Sequence, residues 1–392
     1  MDRRSFLGLG LSGAAGIAAG STATLGVKTL TDRLAEGAVG SSTVPFRGPH
    51  QPGIAMRPQA HGTLLAFTLH DDVDADALQR LLRVWTADIE LLMAGQPTMG
   101  DAAGPLAQTP ASLTVTVGLG HGAFVRAGAT RAWPYAVNRI PAYPIDRLEE
   151  GWSDGDLLLA IGADAATTVS HAARELMKDA RPFAEVKWQQ SGFMPPPDVN
   201  PGQTGRNLMG FLDGSRNPVV GTDEFDRVVW NDGSTAPWFA GGTAMAFRRI
   251  RINLDTWEQL DLAKQEAAFG RRLVDGAPLS GGNEFTNPDL DAKRAGEPLI
   301  PTDSHVRRST TERRLYRRPF NYDDGFTADG TNDVGLLFVS YQADIDQFLE
   351  VQQRLAELDS LNTWTTPIGS ALFVIPPGVT TADGWIGEGI FA

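Results

Sequence analysis

Asp156-Leu157-Leu158-Leu159-Ala160-Ile161-Gly162 is followed almost at once by the run from Ala165 to Asp179. The first stretch is short and apolar throughout, which predicts a buried strand. The second is long enough for helix and carries apolar residues at helical spacing. The same succession returns within Val334–Leu355: strand Gly335-Leu336-Leu337-Phe338-Val339-Ser340-Tyr341, an acid-containing turn, and a helix from Ile345 to about Leu358. A scheme that occurs twice in one chain predicts two related units.

The flanking residues complete each unit. Gly62 to His70 reads as a strand, and Asp72 to Asp74 can cap a helix from Ala75 to about Met93. Leu78, Leu81, Leu82, Trp85 and Ile89 share one face of that helix. Ser112 to Gly118 alternates as a strand, and Phe183 to Gln189 supplies another. The order strand–helix–strand–strand–helix–strand is that of a ferredoxin-like unit. In the second half, Ala244 to Leu254 reads as a strand, Asp255 as the cap of a helix reaching about Arg271, and Ala371 to Ile375 as the closing strand. The predicted fold class is therefore α+β: two tandem ferredoxin-like units, each an antiparallel sheet with helices on one face. The expected division is a signal and linker over residues 1–42, an N-terminal domain over 43–225 and a C-terminal domain over 226–392.

The chain has 392 residues, 42% of them hydrophobic, enough for a substantial core. A net charge of −13 argues against nucleic acid or an anionic membrane surface as the main partner. The absence of cysteine excludes disulfides, thiolate ligands, iron–sulfur clusters and covalent CxxCH haem attachment. Asp2-Arg3-Arg4-Ser5-Phe6-Leu7-Gly8, followed by a weakly apolar Gly/Ala-rich run from Leu9 to about Val27, reads as a twin-arginine export signal. It predicts a periplasmic, cell-envelope or extracellular protein.

Two long segments fall outside the repeat, from Ser191 to about Pro237 and from Asp275 to about Asp333. Long irregular insertions in compact domains are usually functional. The first contains Gly205-Arg206-Asn207-Leu208-Met209-Gly210-Phe211-Leu212-Asp213-Gly214-Ser215-Arg216-Asn217-Pro218, a glycine-punctuated loop that projects Asp213 beside apolar neighbours. An Asp-Gly pair alone is more often a turn. The six histidines (His50, His61, His70, His121, His171 and His305) form no HxH or HExxH pair, so a zinc hydrolase site is not expected.

Gly210-Phe211-Leu212-Asp213-Gly214 resembles the GxxDG signature of dye-decolourising peroxidases. Asp303-Ser304-His305-Val306-Arg307 is similar to that family's proximal haem-ligand segment, and Arg317-Arg318-Pro319-Phe320-Asn321-Tyr322 to its distal-arginine segment. The resemblance runs from Pro45-Phe46-Arg47-Gly48-Pro49-His50-Gln51 to Gly369–Gly378 near the C-terminus. It is strongest to the exported deferrochelatase/peroxidase branch linked to bacterial iron uptake.

The resemblance implies a pair of units of the dimeric α+β barrel type, with haem held mainly by the second. It implies one non-covalent haem b per chain and peroxide-dependent oxidation of organic donors such as dyes, phenols and porphyrinogens. The alternative it carries is release of iron from haem, with iron-uptake components as partners. A homodimer stays open. His305 is the implied axial iron ligand, Asp213 the proton shuttle and Arg317 the cation that meets developing negative charge. Arg313, Arg314 and Arg318 crowd Arg317, which position by resemblance favours. Gly214, Ser215 and Arg216 would line the haem edge, with Arg216 able to pair a propionate. Arg248, Arg249 and Arg251 are further candidates, although an exposed-strand role suits at least two of them. Asp344 is the candidate carboxylate behind His305, with a helix N-cap as the competing reading.

Overall fold

In the computed structural model, residues 40–196 and 204–392 are described. The arginine pair and apolar run of the expected export signal lie outside them. The repeat units begin with β1 (His61–Leu69), α1 (Ala75–Met93), β2 (Thr114–Leu119), β3 (Leu157–Ala163), α2 (Ala166–Ala180) and β4 (Ala184–Phe193). The second half supplies β5 (Thr243–Ile252), α3 (Leu262–Phe269), α4 (His305–Ser309), β6 (Tyr316–Arg317), β7 (Phe320–Phe326), β8 (Asn332–Gln342), α5 (Ile345–Glu357) and β9 (Thr365–Ile375).

Two separate sheets were expected, and the strands instead form one. The order is β5-β9-β2-β3-β1-β4-β7-β8-β6, and β8 pairs again with β5, so the ring closes with β6 lying against β8 as well. Every pairing is antiparallel. The halves meet at two thin seams, Val374 opposite Leu119 and Phe193 opposite Asn321. Closure removes the sheet edges that two open units would leave unpaired. Within each half the first strand lies between the fourth and the third, with the second outside the third.

Strand periodicity divides the core. Leu64, Ala66, Leu158, Met245, Phe247, Leu337, Val339 and Phe373 point into the ring, where Trp188 and Tyr322 fill the space. Their neighbours Leu65, Phe67, Val115, Val117, Leu157 and Leu159 point outward under α1 and α2. Asp74 caps α1 by accepting from the Ala77 N–H. Leu78, Leu81, Leu82, Trp85 and Ile89 are fully buried. Each such side chain contributes roughly 1.5–3 kcal/mol. Trp85 Nε1 donates to the Leu176 carbonyl at 3.0 Å and ties α1 to α2. No helix among the described residues is long and apolar enough to cross a membrane.

The helix expected from Asp255 to about Arg271 is broken in two. Asn253, not Asp255, caps the short turn Leu254–Trp257, and Asp261 starts α3. Gly270, in the left-handed conformation at φ 88°, stops α3 ahead of Arg271.

Where α1 and α2 pack, Asp88 faces Asp179. Burial, then the Asp88 charge, push the Asp179 carboxyl up to about 7. A carboxyl raised in the folded state favours folding while protonated. That contribution is complete below its ordinary range and is lost as pH rises through about 7. We expect Asp179→Asn to flatten the fall in Tm across that interval. Parallel Tm–pH curves for the two proteins would refute this assignment.

Candidate functional site

The apolar outer face of the second half carries a cavity. Ile250 and Ile252 of β5, Leu336 and Phe338 of β8, and Phe348, Val351 and Leu355 of α5 form its walls. The two insertions fold over this face and bring Asp213, Arg317 and His305 to the one cavity.

The Asp213 loop is a small hairpin. Arg206 bridges to Leu212, and the Asp213 N–H donates to the Gly205 carbonyl at 2.8 Å. Gly210 makes the turn at φ 88°. Phe211 anchors the hairpin by stacking on Phe269 of α3, with centroids 3.8 Å apart. Asn217 links the loop to the arginine strand. Its side-chain amide donates to the Arg317 carbonyl at 2.7 Å and accepts from the Arg317 N–H at 3.0 Å. Asp213 Oδ1 lies 3.1 Å from Arg317 Nη1, an ion-pair distance. No N–H is aimed at that oxygen, so it is buried without a hydrogen-bond donor.

The four crowded arginines separate cleanly. Arg313 pairs with Glu350 at 3.4 Å. Arg314 engages Glu224 and the Arg216 carbonyl. Arg318 is buried on the carbonyls of Met56 and Arg57 and on Gln59. Arg317 is the member of the four that pairs with Asp213.

His305 opens α4, and its ring Nδ1 lies 2.7 Å from Asp359 Oδ2. A carboxylate can only accept, so the proton sits on Nδ1 and the Nε2 lone pair is left free. Asp359 is itself held, accepting from the Leu361 N–H at 3.0 Å. Phe269 packs edge-on against the imidazole at 5.9 Å.

The carboxylate behind His305 is therefore Asp359, and the expectation for Asp344 is corrected. Asp344 accepts from the Asp346 N–H and closes a capping box with Gln347. It starts α5, whereas α4 packs beside the far end of that helix, where Arg308 donates to the Arg354 carbonyl. Asp359 follows that far end.

The expectation that at least two of the β5 arginines are exposed is also corrected. Arg248 and Arg249 are 1% and 0% exposed. Arg248 lines the cavity but is neutralised by Asp146. Arg249 turns into the ring onto Asp324 and Asp333, at 2.9 and 3.0 Å, and Arg251 shares Asp333 at 3.0 Å. Neither Arg249 nor Arg251 lines the cavity.

A cation missed in the sequence is Arg271. Its Nη1 donates to the carbonyls of Gly276 and Glu284, while Nη2 is buried without a partner. Burial, with Arg216 and then Arg317 adding like charge, holds Arg271 down to about 10. Arg216 is lowered too, by burial first and Arg314 second. Such a cluster favours an anion. Ser215 lines the cavity and donates to Glu284 at 2.9 Å, and Gly214, at φ 123°, makes the turn that carries it.

These features match what a haem requires. The cavity offers apolar walls, an imidazole nitrogen with a free lone pair, a guanidinium with an unpartnered nitrogen suited to a carboxylate, and a half-buried acid–arginine pair. His305 could hold the iron, and Arg271 and Arg216 the propionates.

Comparisons with known proteins agree with this geometry. The family model described as Dyp-type peroxidase, N-terminal, matches residues 51–194, and that described as Dyp-type peroxidase, C-terminal, matches 204–380. A dye-decolorizing peroxidase of Thermobifida fusca is 36% identical over 345 residues, covering 83% of this chain and 80% of the relative. A deferrochelatase of Escherichia coli strain K12 is 34% identical over 369 residues, covering 88% and 86%. The crystal structure of a DyP-type peroxidase from Cellulomonas bogoriensis is similar with a TM-score of 0.87 at 41% identity, covering 90% of this chain and 99% of that one.

Proposed function

The chain belongs to the Dyp-type peroxidase family of haem peroxidases, and from that premise we propose how its own residues divide the work. The observation that carries the reading is the convergence of His305, Asp213 and Arg317 on one cavity. Haem b, bound without a covalent link, supplies the redox-active iron at which hydrogen peroxide is reduced and organic donors are oxidised.

His305 Nε2 would hold the iron of a bound haem. Asp359 acts on it by fixing the tautomer and making the imidazole a stronger donor. Asp213 takes a proton from one peroxide oxygen at its donor-free carboxylate and returns it to the departing oxygen. Arg317 stabilises the negative charge that builds as the oxygen–oxygen bond lengthens, and its guanidinium stays charged throughout. Arg271 and Arg216 neutralise the propionates. The apolar walls exclude water and strengthen each of these interactions.

The test of the shuttle is Asp213→Asn, which keeps the shape and removes the exchangeable carboxyl. We expect peroxide-dependent dye oxidation to fall about 10²–10⁴-fold, the usual contribution of a general acid–base group, with haem content unchanged. An unaltered rate and pH profile would make Asp213 a structural turn. A milder change is expected at Asp359→Asn. The amide still holds the Leu361 N–H but is a poorer acceptor for His305, so the haem reduction potential should rise while haem is retained. An unchanged potential would remove Asp359 from this role.

Iron release from haem is the second reading, favoured by the deferrochelatase relatives. Incubating the protein with haem and no peroxide distinguishes the two: free porphyrin would support it, and intact haem would leave peroxidase turnover alone. The twin-arginine run supports export in the folded state, to a compartment outside the cytoplasm. Strand order within each half supports reading the ring as two fused ferredoxin-like units, over about 43–225 and 226–392.

A further inference from the structure

A second cluster of ionisable groups lies outside the cavity, where α2 meets the loop that follows α1. His171 and Glu175 are four residues apart on α2 and so share a face. Asp101 comes from the loop. One ligand atom from each of the three lies within 4.8 Å of the others. Their side chains are 2%, 4% and 0% exposed. We infer that Asp101, His171 and Glu175 form a binding site for a divalent first-row transition cation, separate from the haem.

Two independent features support this. His171 Nε2 lies 3.0 Å from Asp101 Oδ2, which aims that imidazole nitrogen at the carboxylates, and α2 sets Glu175 one turn further along the same face. The local charge is also unbalanced. Glu175 lies beside Asp101 and adds like charge to Asp88 and Asp179 as well, and Lys178 offsets one charge through a 2.6 Å bond to Glu175 Oε1.

The donor set selects the kind of ion. One imidazole and two carboxylates suit zinc or manganese, whereas calcium needs six to eight oxygen donors. Three protein ligands leave positions for water. Binding would displace the proton between His171 and Asp101, and Lys178, nearly half exposed, is free to swing aside.

The experiment uses the haem-loaded full chain after treatment with EDTA. Mn(II) is titrated and the free ion counted by electron paramagnetic resonance, and Zn(II) is counted by equilibrium dialysis. We expect one ion per chain beyond the haem iron, a rise in Tm on adding it, and at least a tenfold loss of affinity in His171→Gln and in Glu175→Gln, with the haem spectrum unchanged. If His171→Gln does not fold, Asp101→Asn and Glu175→Gln decide. Absence of stoichiometric binding, or equal binding by wild type and folded variants, would overturn the site and leave a proton-bridged buried pair.

Discussion

His305→Ala is expected to leave a folded chain that holds haem only weakly. The substitution removes the imidazole whose outward nitrogen is set up by a partner to bind the iron, since Asp359 accepts the hydrogen bond from Nδ1–H at 2.7 Å. The remaining contacts to haem would be apolar walls and arginines, which can hold a porphyrin loosely but cannot fix its iron. We expect haem affinity to drop by at least about tenfold, or 1.4 kcal/mol, and the Soret absorption to weaken and shift. Stability should fall as well, because Oδ2 of the buried Asp359 carboxylate loses its donor, while Oδ1 keeps the Leu361 N–H, at a cost of about 1–3 kcal/mol. Added imidazole should restore part of the spectrum by filling the vacated space. Full haem retention with an unchanged spectrum would exclude His305 as the ligand.

Arg317→Leu should have the second-largest effect, and it should be on rate. The backbone of Arg317 is bracketed by Asn217, so losing the guanidinium leaves the strand in place. What disappears is the positive charge beside Asp213. Removing one such preorganised donor typically slows a reaction 10²–10³-fold, about 2.7–4 kcal/mol. Stopped-flow mixing with peroxide should show that slowing in the haem absorbance change, with haem content near that of wild type. Arg318→Leu is the informative contrast. Its guanidinium holds Met56, Arg57 and Gln59, so its loss should lower Tm and leave the peroxide step nearly intact. If Arg318→Leu slows the peroxide step and Arg317→Leu does not, the role belongs to the neighbour.

Much of the architecture was legible because it is local. α1 was predicted with its bounds and its buried face, since cap and periodicity lie within one stretch of chain. Most strands fell within a few residues of expectation for the same reason, but β9 begins at Thr365, ahead of the expected Ala371, and β7, whose pairing reaches the distant β4, lies in the stretch read as an irregular insertion. The helix after β5 was misjudged because its apolar pattern continued across a break. Asn253, Asp261 and Gly270 are the local signals that mark its two pieces.

By itself, the sequence determined most of the alternation of strands and helices and, through short motifs that resemble those of a known family, singled out Asp213, His305 and Arg317 as residues worth testing. Each of these rests on neighbours along the chain. The tertiary structure alone decided that the strands close into one ring, because the seams at Leu119 and Phe193 join residues more than a hundred positions apart. It alone chose Asp359 over Asp344, which begins the same helix that Asp359 follows. And it alone exposed the unpartnered nitrogen of Arg271, since whether a polar atom lacks a partner depends on everything that folds around it.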